Sequence, residues 1–163
     1  VEIVDEKSEP VQSVQTTGLA WGVRESFRSY VLRGAMGSET LDGSAGSLPD
    51  GRFYFPLAEA TGFDLDALDG TLSFAGGVRF LGHGGMIDLR LGELELVLTD
   101  SRGVVRTGAR DLVEVSVLQV AVGENSAALY LESRLAPGAE GLFNDVYAAG
   151  TLFDDLEVRI STP

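Results

Sequence analysis

The sequence contains no cysteine, which excludes disulfides, thiolate nucleophiles and Cys-based zinc or iron–sulfur sites. It holds a single histidine, His83, so the usual zinc ligand sets are missing too. No run reaches the roughly 18 apolar residues that mark a membrane-spanning helix. Positive charge is scarce: 12 Lys and Arg face 25 Asp and Glu, for a formal net charge of −13. Polyanions repel so acidic a chain, which argues against nucleic acid and anionic membrane surfaces as partners. There is no GxSxG nucleophile elbow, and Asp64-Leu65-Asp66 lacks the alternating oxygen ligands of a calcium loop. Carboxylate pairs such as Asp64/Asp66 and Asp154/Asp155 read as solvated surface, with no two set apart as a glycosidase acid and base. The expectation is a protein that is not an enzyme.

What is present suits one β-rich domain. The 163 residues can bury a proper core, and 21 glycines fit many tight turns. Residues 1–14 read as a lead-in tail or edge strand, and 15–163 as a single domain. The first residue is Val1 rather than Met, so a processed form or excised domain is expected, with any signal peptide or anchor outside this sequence. Residues 19–30, LAWGVRESFRSY, carry the clearest helix signal. Val23, Phe27, Tyr30 and Val31 stand at i, i+4, i+7 and i+8, Thr16 and Thr17 precede them as N-caps, and Gly34 is the stop. This spacing puts Tyr30 on the inward side of the helix.

A glycine-rich loop follows over 34–51, with room for a strand inside it. Residues 52–57 (RFYFPL) read as an aromatic strand stopped by Pro56. Residues 71–80 alternate as one strand, with a bulge or close approach at Gly76–Gly77. Ile87, Leu89 and Leu91 alternate, then Leu94, Leu96 and Leu98 after a phase slip at Gly92. Asp100–Gly103 is a turn, and strands are expected near 104–107, 112–122, 128–132 and at Leu156, Val158 and Ile160. Leu142, Phe143, Val146 and Tyr147 fall at helical spacing, so 137–147 reads as a short second helix. The fold expectation is mainly β, a β-rich α+β fold. Antiparallel sheets pack as a sandwich or curled barrel, with one longer and one short helix at an edge or end.

His83 sits in FLGHGGMID, residues 80–88, where glycines on both sides leave the imidazole uncrowded. It reads either as a half-exposed loop histidine without a role or as part of a site where the backbone approaches a flat ligand. Tyr30 reads either as a buried phenol satisfied by the backbone or as a ligand. Of the remaining tyrosines, Tyr54 and Tyr130 lie within strands, whereas Tyr147 lies before Gly150 near a loop.

Residues 18–31 (GLAWGVRESFRSYV) and 71–89 (TLSFAGGVRFLGHGGMIDL) together resemble the HtaA-type haem-binding domain of actinobacterial haem-uptake proteins. RFYFP at 52–56 and FNDVYAAGTLFDD at 143–155 extend the resemblance from about residue 15 to 160. It implies a β-rich domain that binds one haem at its surface. Tyr30 matches the axial iron ligand, His83 the histidine that hydrogen-bonds it, and Tyr147 a third tyrosine near the pocket. Tyrosinate is a hard oxygen ligand suited to ferric haem b. On this reading Phe27, Phe53, Phe80, Leu81 and Met86 are candidate walls, and Gly82 and Gly84 flank the histidine. Arg24, Arg28 and Arg79 are candidate partners for the haem propionates. The implied role is secreted or cell-surface capture of haem from haemoprotein donors, with transfer to other uptake proteins. A homodimer or face-to-face contact over haem is a further expectation. The competing expectation, from the same scaffold, is a β-sandwich adhesion or interaction domain without cofactor.

Overall fold

Alternating aliphatic residues produce strands almost throughout, and the glycine-rich breaks between them become turns. The structure is a computed structural model describing residues 1–5 and 17–162. In chain order the strands are β1 (Glu2–Asp5), β2 (Gly18–Trp21), β3 (Ser38–Asp42), β4 (Gly46–Ser47), β5 (Phe53–Asp64), β6 (Asp69–Phe74) and β7 (Gly77–Gly82). They continue as β8 (Ile87–Gly92), β9 (Leu94–Thr99), β10 (Arg102–Thr107), β11 (Arg110–Val122), β12 (Ser126–Leu135) and β13 (Leu152–Ser161). Helix α1 (Glu25–Ser29) runs into a π turn, Tyr30–Gly34. Two 3₁₀ turns, His83–Gly85 and Glu140–Phe143, complete the inventory among the described residues. No helix among them is long and apolar enough to cross a membrane.

Eight strands form an antiparallel barrel in the order β11-β10-β9-β6-β5-β2-β13-β12, closed by pairing of β11 with β12. Of the two sheet packings expected, the curled barrel is the one realised, and closure removes free edges from those strands. Strand β1 lies parallel to the second half of β11, from Glu2 opposite Gln119 to Asp5 opposite Val122; residues 6–14 of the expected lead-in lie outside the described residues. A separate three-stranded sheet, β3-β7-β8, packs with α1 and the π turn.

Strand phase explains the core. Leu94, Leu96 and Leu98 all point inward from β9. In β11 the odd-numbered Val113, Val115 and Val117 are buried, then the even-numbered Val120, with Leu112 and Ala121 buried beside them. A register shift between Val117 and Gln119 leaves Leu118 as the extra, exposed residue and changes the phase of burial beyond it. A second shift, opposite Leu131 and Ser133, falls at Asp154 and Asp155 of β13. It matters for the site below.

Several expected boundaries move. Residues 18–21 form β2, a buried strand between β5 and β13, and the helix shrinks to Glu25–Ser29. Its N-cap is Arg24; Thr17 lies ahead of β2, and Thr16 lies outside the described residues. The aromatic strand does not stop at Pro56. A fixed proline φ suits extended backbone, and the Pro56 carbonyl accepts a hydrogen bond from Ala75 N–H, so β5 runs on to Asp64. The strand expected over 71–80 is two strands in two sheets. Gly76 (φ +85°) turns the chain from the barrel to the small sheet, and a Cβ there would sit 2.5 Å from Ala45 N, so the close approach is real. The second helix is reduced to the 3₁₀ turn Glu140–Phe143, ended by Asn144 and Asp145 with φ of +54° and +59°.

Candidate functional site

The β13 bulge sets the direction of α1. Asp154 N–H donates to the Val23 carbonyl at 2.9 Å, while its own carbonyl accepts from Trp21 Nε1 and Ser133 Oγ at 2.8 and 2.7 Å. Val23 is fully buried at φ +63°, a conformation costly for a β-branched residue. It turns the chain sharply from β2 into α1. Because Val23 lies outside the helix, the apolar stripe is not one helical face.

Within α1 and the π turn Phe27 and Val31 are the buried residues, and Tyr30 is 42% exposed. The expected inward position of Tyr30 is therefore corrected. The phenol stands at the start of the π turn, closed by Ala35 N–H to the Tyr30 carbonyl at 2.8 Å, and π turns widen the helix where a side chain must be re-aimed. The next backbone link joins the two functional segments: His83 N–H donates to the Ala35 carbonyl at 3.0 Å. Gly37 permits this, since a Cβ there would lie 1.9 Å from the Leu81 carbonyl. His83 itself has φ +48°, which swings its ring back over the π turn.

Tyr30 Oη and His83 Nε2 are 2.6 Å apart, with ring centroids at 5.5 Å and an interplanar angle of 61°. The pair stands at a cleft of about 520 Å³, within the roughly 300–1,000 Å³ of small-molecule sites. One wall carries Phe27, Tyr30, His83 and Met86; the other carries Leu142 and Tyr147. The floor is an aromatic chain of edge-on contacts. Phe27 meets Phe80 and Phe143 at 5.1 and 5.0 Å, and Phe143 meets Phe153 and Tyr147 at 5.1 and 6.0 Å. Asn144 Nδ2 reaches the Met86 carbonyl at 3.5 Å, linking the two walls. Asp88 at the cleft edge is held below the usual carboxylate range by the hydrogen bonds it accepts from Arg79, which outweigh desolvation, with the Arg79 charge acting in the same direction. Its negative charge is thereby matched.

The structure brings Tyr30, His83, Tyr147, Phe27 and Met86 to one cleft. Other sequence candidates stand elsewhere. Phe80 and Phe53 are buried beneath it, and Leu81 does not line it. Arg28 is spent on Glu39, at 2.6 and 3.0 Å, and on the Gly51 carbonyl, with its guanidinium 4.0 Å above the Phe53 ring. Gly82 is buried against Ala35, whereas Gly84 (φ +63°) faces open space on the turn. Arg24 caps the Tyr147 ring at 4.5 Å and donates to the Leu152 carbonyl and Ser26 Oγ. Leu142, Phe143 and Asn144 of the far wall were missed as site residues; the apolar spacing of 142–147 was the available signal.

A second groove of about 700 Å³, near Leu57, Phe63, Leu65 and Ile160, contains neither histidine nor tyrosine. Among the described residues no cluster of three His, Cys, Asp or Glu could cage a bare cation.

The HtaA family ("Htaa") matches residues 16–159. The chain is similar in fold to the C-terminal domain of HtaA from Corynebacterium glutamicum, at 23% identity and a TM-score of 0.76, covering 89% of this chain and 95% of that one. The N-terminal domain of the same HtaA matches at 25% identity and a TM-score of 0.76, over 91% and 99% of the two chains. Heme binding protein HtaB from the same organism matches at 14% and 0.70, over 90% and 93%. No curated protein matches the chain. With the match spanning most of its length, the chain belongs to the HtaA family.

Proposed function

We propose that this domain binds ferric haem b as cargo in the cleft, with Tyr30 as axial ligand, and hands it on in haem uptake. The observation that carries the reading is the 2.6 Å Tyr30–His83 pair at the mouth of an apolar cleft. Its family and a fold neighbour described as a heme binding protein point the same way. Haem brings a ferric iron with an open axial position, a flat apolar face and two propionates. The residues present suit each part: an oxygen ligand on a fixed turn, aromatic and aliphatic walls, and cations at the edges.

A free phenol titrates near pH 10, so ligation must displace its proton. His83 Nε2 is the base within reach, and the resulting N–H then donates back to the phenolate oxygen, stabilising the anion and orienting the ring. Arg24, over Tyr147, and Arg79, beside Asp88, each touch a residue that lines the cleft and are the proposed partners of the propionates. Tyr147 completes the far wall, and Gly84 keeps the histidine turn open to the ligand. The proposed setting is secreted or at the cell surface, with haemoproteins as donors and other uptake proteins as acceptors.

A haemin titration followed by visible absorption tests the reading. A saturable change in the Soret and charge-transfer bands is expected, and the spectrum of free haemin throughout would overturn it. His83→Ala should weaken binding by about 10–100-fold, the usual cost of losing a residue that supports a ligand, while a bound fraction persists at high haemin. Complete loss would instead make His83 a direct ligand.

A further inference from the structure

With no cysteine in the chain, its oxidisable sulfur is confined to Met36 and Met86. Both flank the Tyr30–His83 pair. Met36 follows Ala35, whose carbonyl holds His83 N–H, and Met86 N–H closes the histidine turn on the His83 carbonyl at 3.3 Å. Both are open to solvent, at 91% and 81% exposure. Thioethers are apolar and polarisable, and these two are the most exposed of the large hydrophobic side chains among the described residues. They differ in one respect: Met86 lines the cleft and its carbonyl meets Asn144 of the opposite wall, whereas Met36 does not line it.

We infer that Met86 is a peroxide-sensitive modification site that sets how firmly the cleft retains its cargo. The inference rests on the haem-binding reading above. Peroxide transfers one oxygen atom to Met86 Sδ. The S–O bond forms as the O–O bond breaks, the thioether is oxidised by two electrons, and the peroxide leaves as water. The product is a polar sulfoxide on a lip that otherwise offers apolar contact to a flat ligand. Contact between haem and that lip then requires partly desolvating the sulfoxide oxygen, so retention falls. Met36, equally accessible but off the cleft, is oxidised without that effect.

The test uses the haem-free chain, treated with hydrogen peroxide and desalted. Peptide mass spectrometry reads one added oxygen at each methionine. Haemin is then loaded, and its release to an excess of a haem-scavenging apoprotein is timed. Release from the oxidised protein should be about tenfold faster than from untreated protein, as expected for one unsatisfied polar group in the contact. Met86→Leu should remove the effect, Met36→Leu should keep it, and methionine sulfoxide reductase should reverse it. Unchanged release with Met86 fully oxidised overturns the inference, as does an equal acceleration in Met86→Leu. Failure of untreated protein to take up haemin would instead overturn the functional reading, a separate result visible before any peroxide is added.

Discussion

Tyr30→Ala is expected to lose haem binding almost completely while the fold stays intact. The side chain is half-exposed, and its polar contact among the described residues is to His83, so the stability change should fall within about 0.5 kcal/mol. The affinity loss should exceed the roughly 10–100-fold typical of a residue that only supports a ligand. Tyr30→Phe separates oxygen from ring: it keeps the edge contact with His83 and removes the donor atom, and it should bind as poorly as the alanine variant. Paired haemin titrations and thermal melts check both. Retention of binding by either variant at wild-type strength would move the ligand to another residue.

Phe27→Ala should produce the largest change in stability, about 3–5 kcal/mol, because a buried phenylalanine leaves a cavity that its neighbours fill only partly. Phe27 is 6% exposed and bridges two bodies: Phe80 of the small sheet at 5.1 Å and Phe143 under the far wall at 5.0 Å. Removing it breaks the aromatic floor of the cleft between the two. Urea denaturation of the haem-free protein gives the measurement, and a cost under about 1 kcal/mol would show that the floor is not part of the cooperative core. Haem affinity should fall as well, since the same ring lines the cleft.

Where alternation governs, the sequence was readable. The leucines of β9, the phase slip at Gly92 and the valines of β11 gave strands close to those seen, because half-buried antiparallel strands impose a period of two. Helical periodicity misled at 19–30. Val23 is buried at a left-handed turn ahead of the helix, not on a helical face, yet it falls four residues before Phe27, a helix-compatible spacing. Short apolar runs do not distinguish the two. Pro56 misled for a different reason, since its backbone suits extended structure wherever the ladder does not need its N–H. At the site, Tyr30, His83 and Tyr147 were legible through the family-like motifs. Their meeting point was not, because it depends on the bulge at Asp154, the π turn and Gly37, which are features of register and close approach. Arg28 illustrates the limit from the other side: its charge was visible, but its engagement by Glu39 was not.

Helix α1 has five residues, far below the roughly 12–15 that an isolated helix needs to persist in water. It is tied at its start through Val23 to Asp154 and at its end through Ala35 to His83. Tyr30 and His83 are 53 positions apart, and the Trp21–Asp154 bond spans 133. The Tyr30 phenol therefore has no defined direction until distant parts of the chain have met. A ligand that needs this arrangement binds the native state alone and adds to its stability by mass action, about 2.7 kcal/mol at a hundredfold excess over Kd. The loaded domain is accordingly more durable than the empty one. On the proposed reading, release of haem would leave the carrier less stable by the same amount.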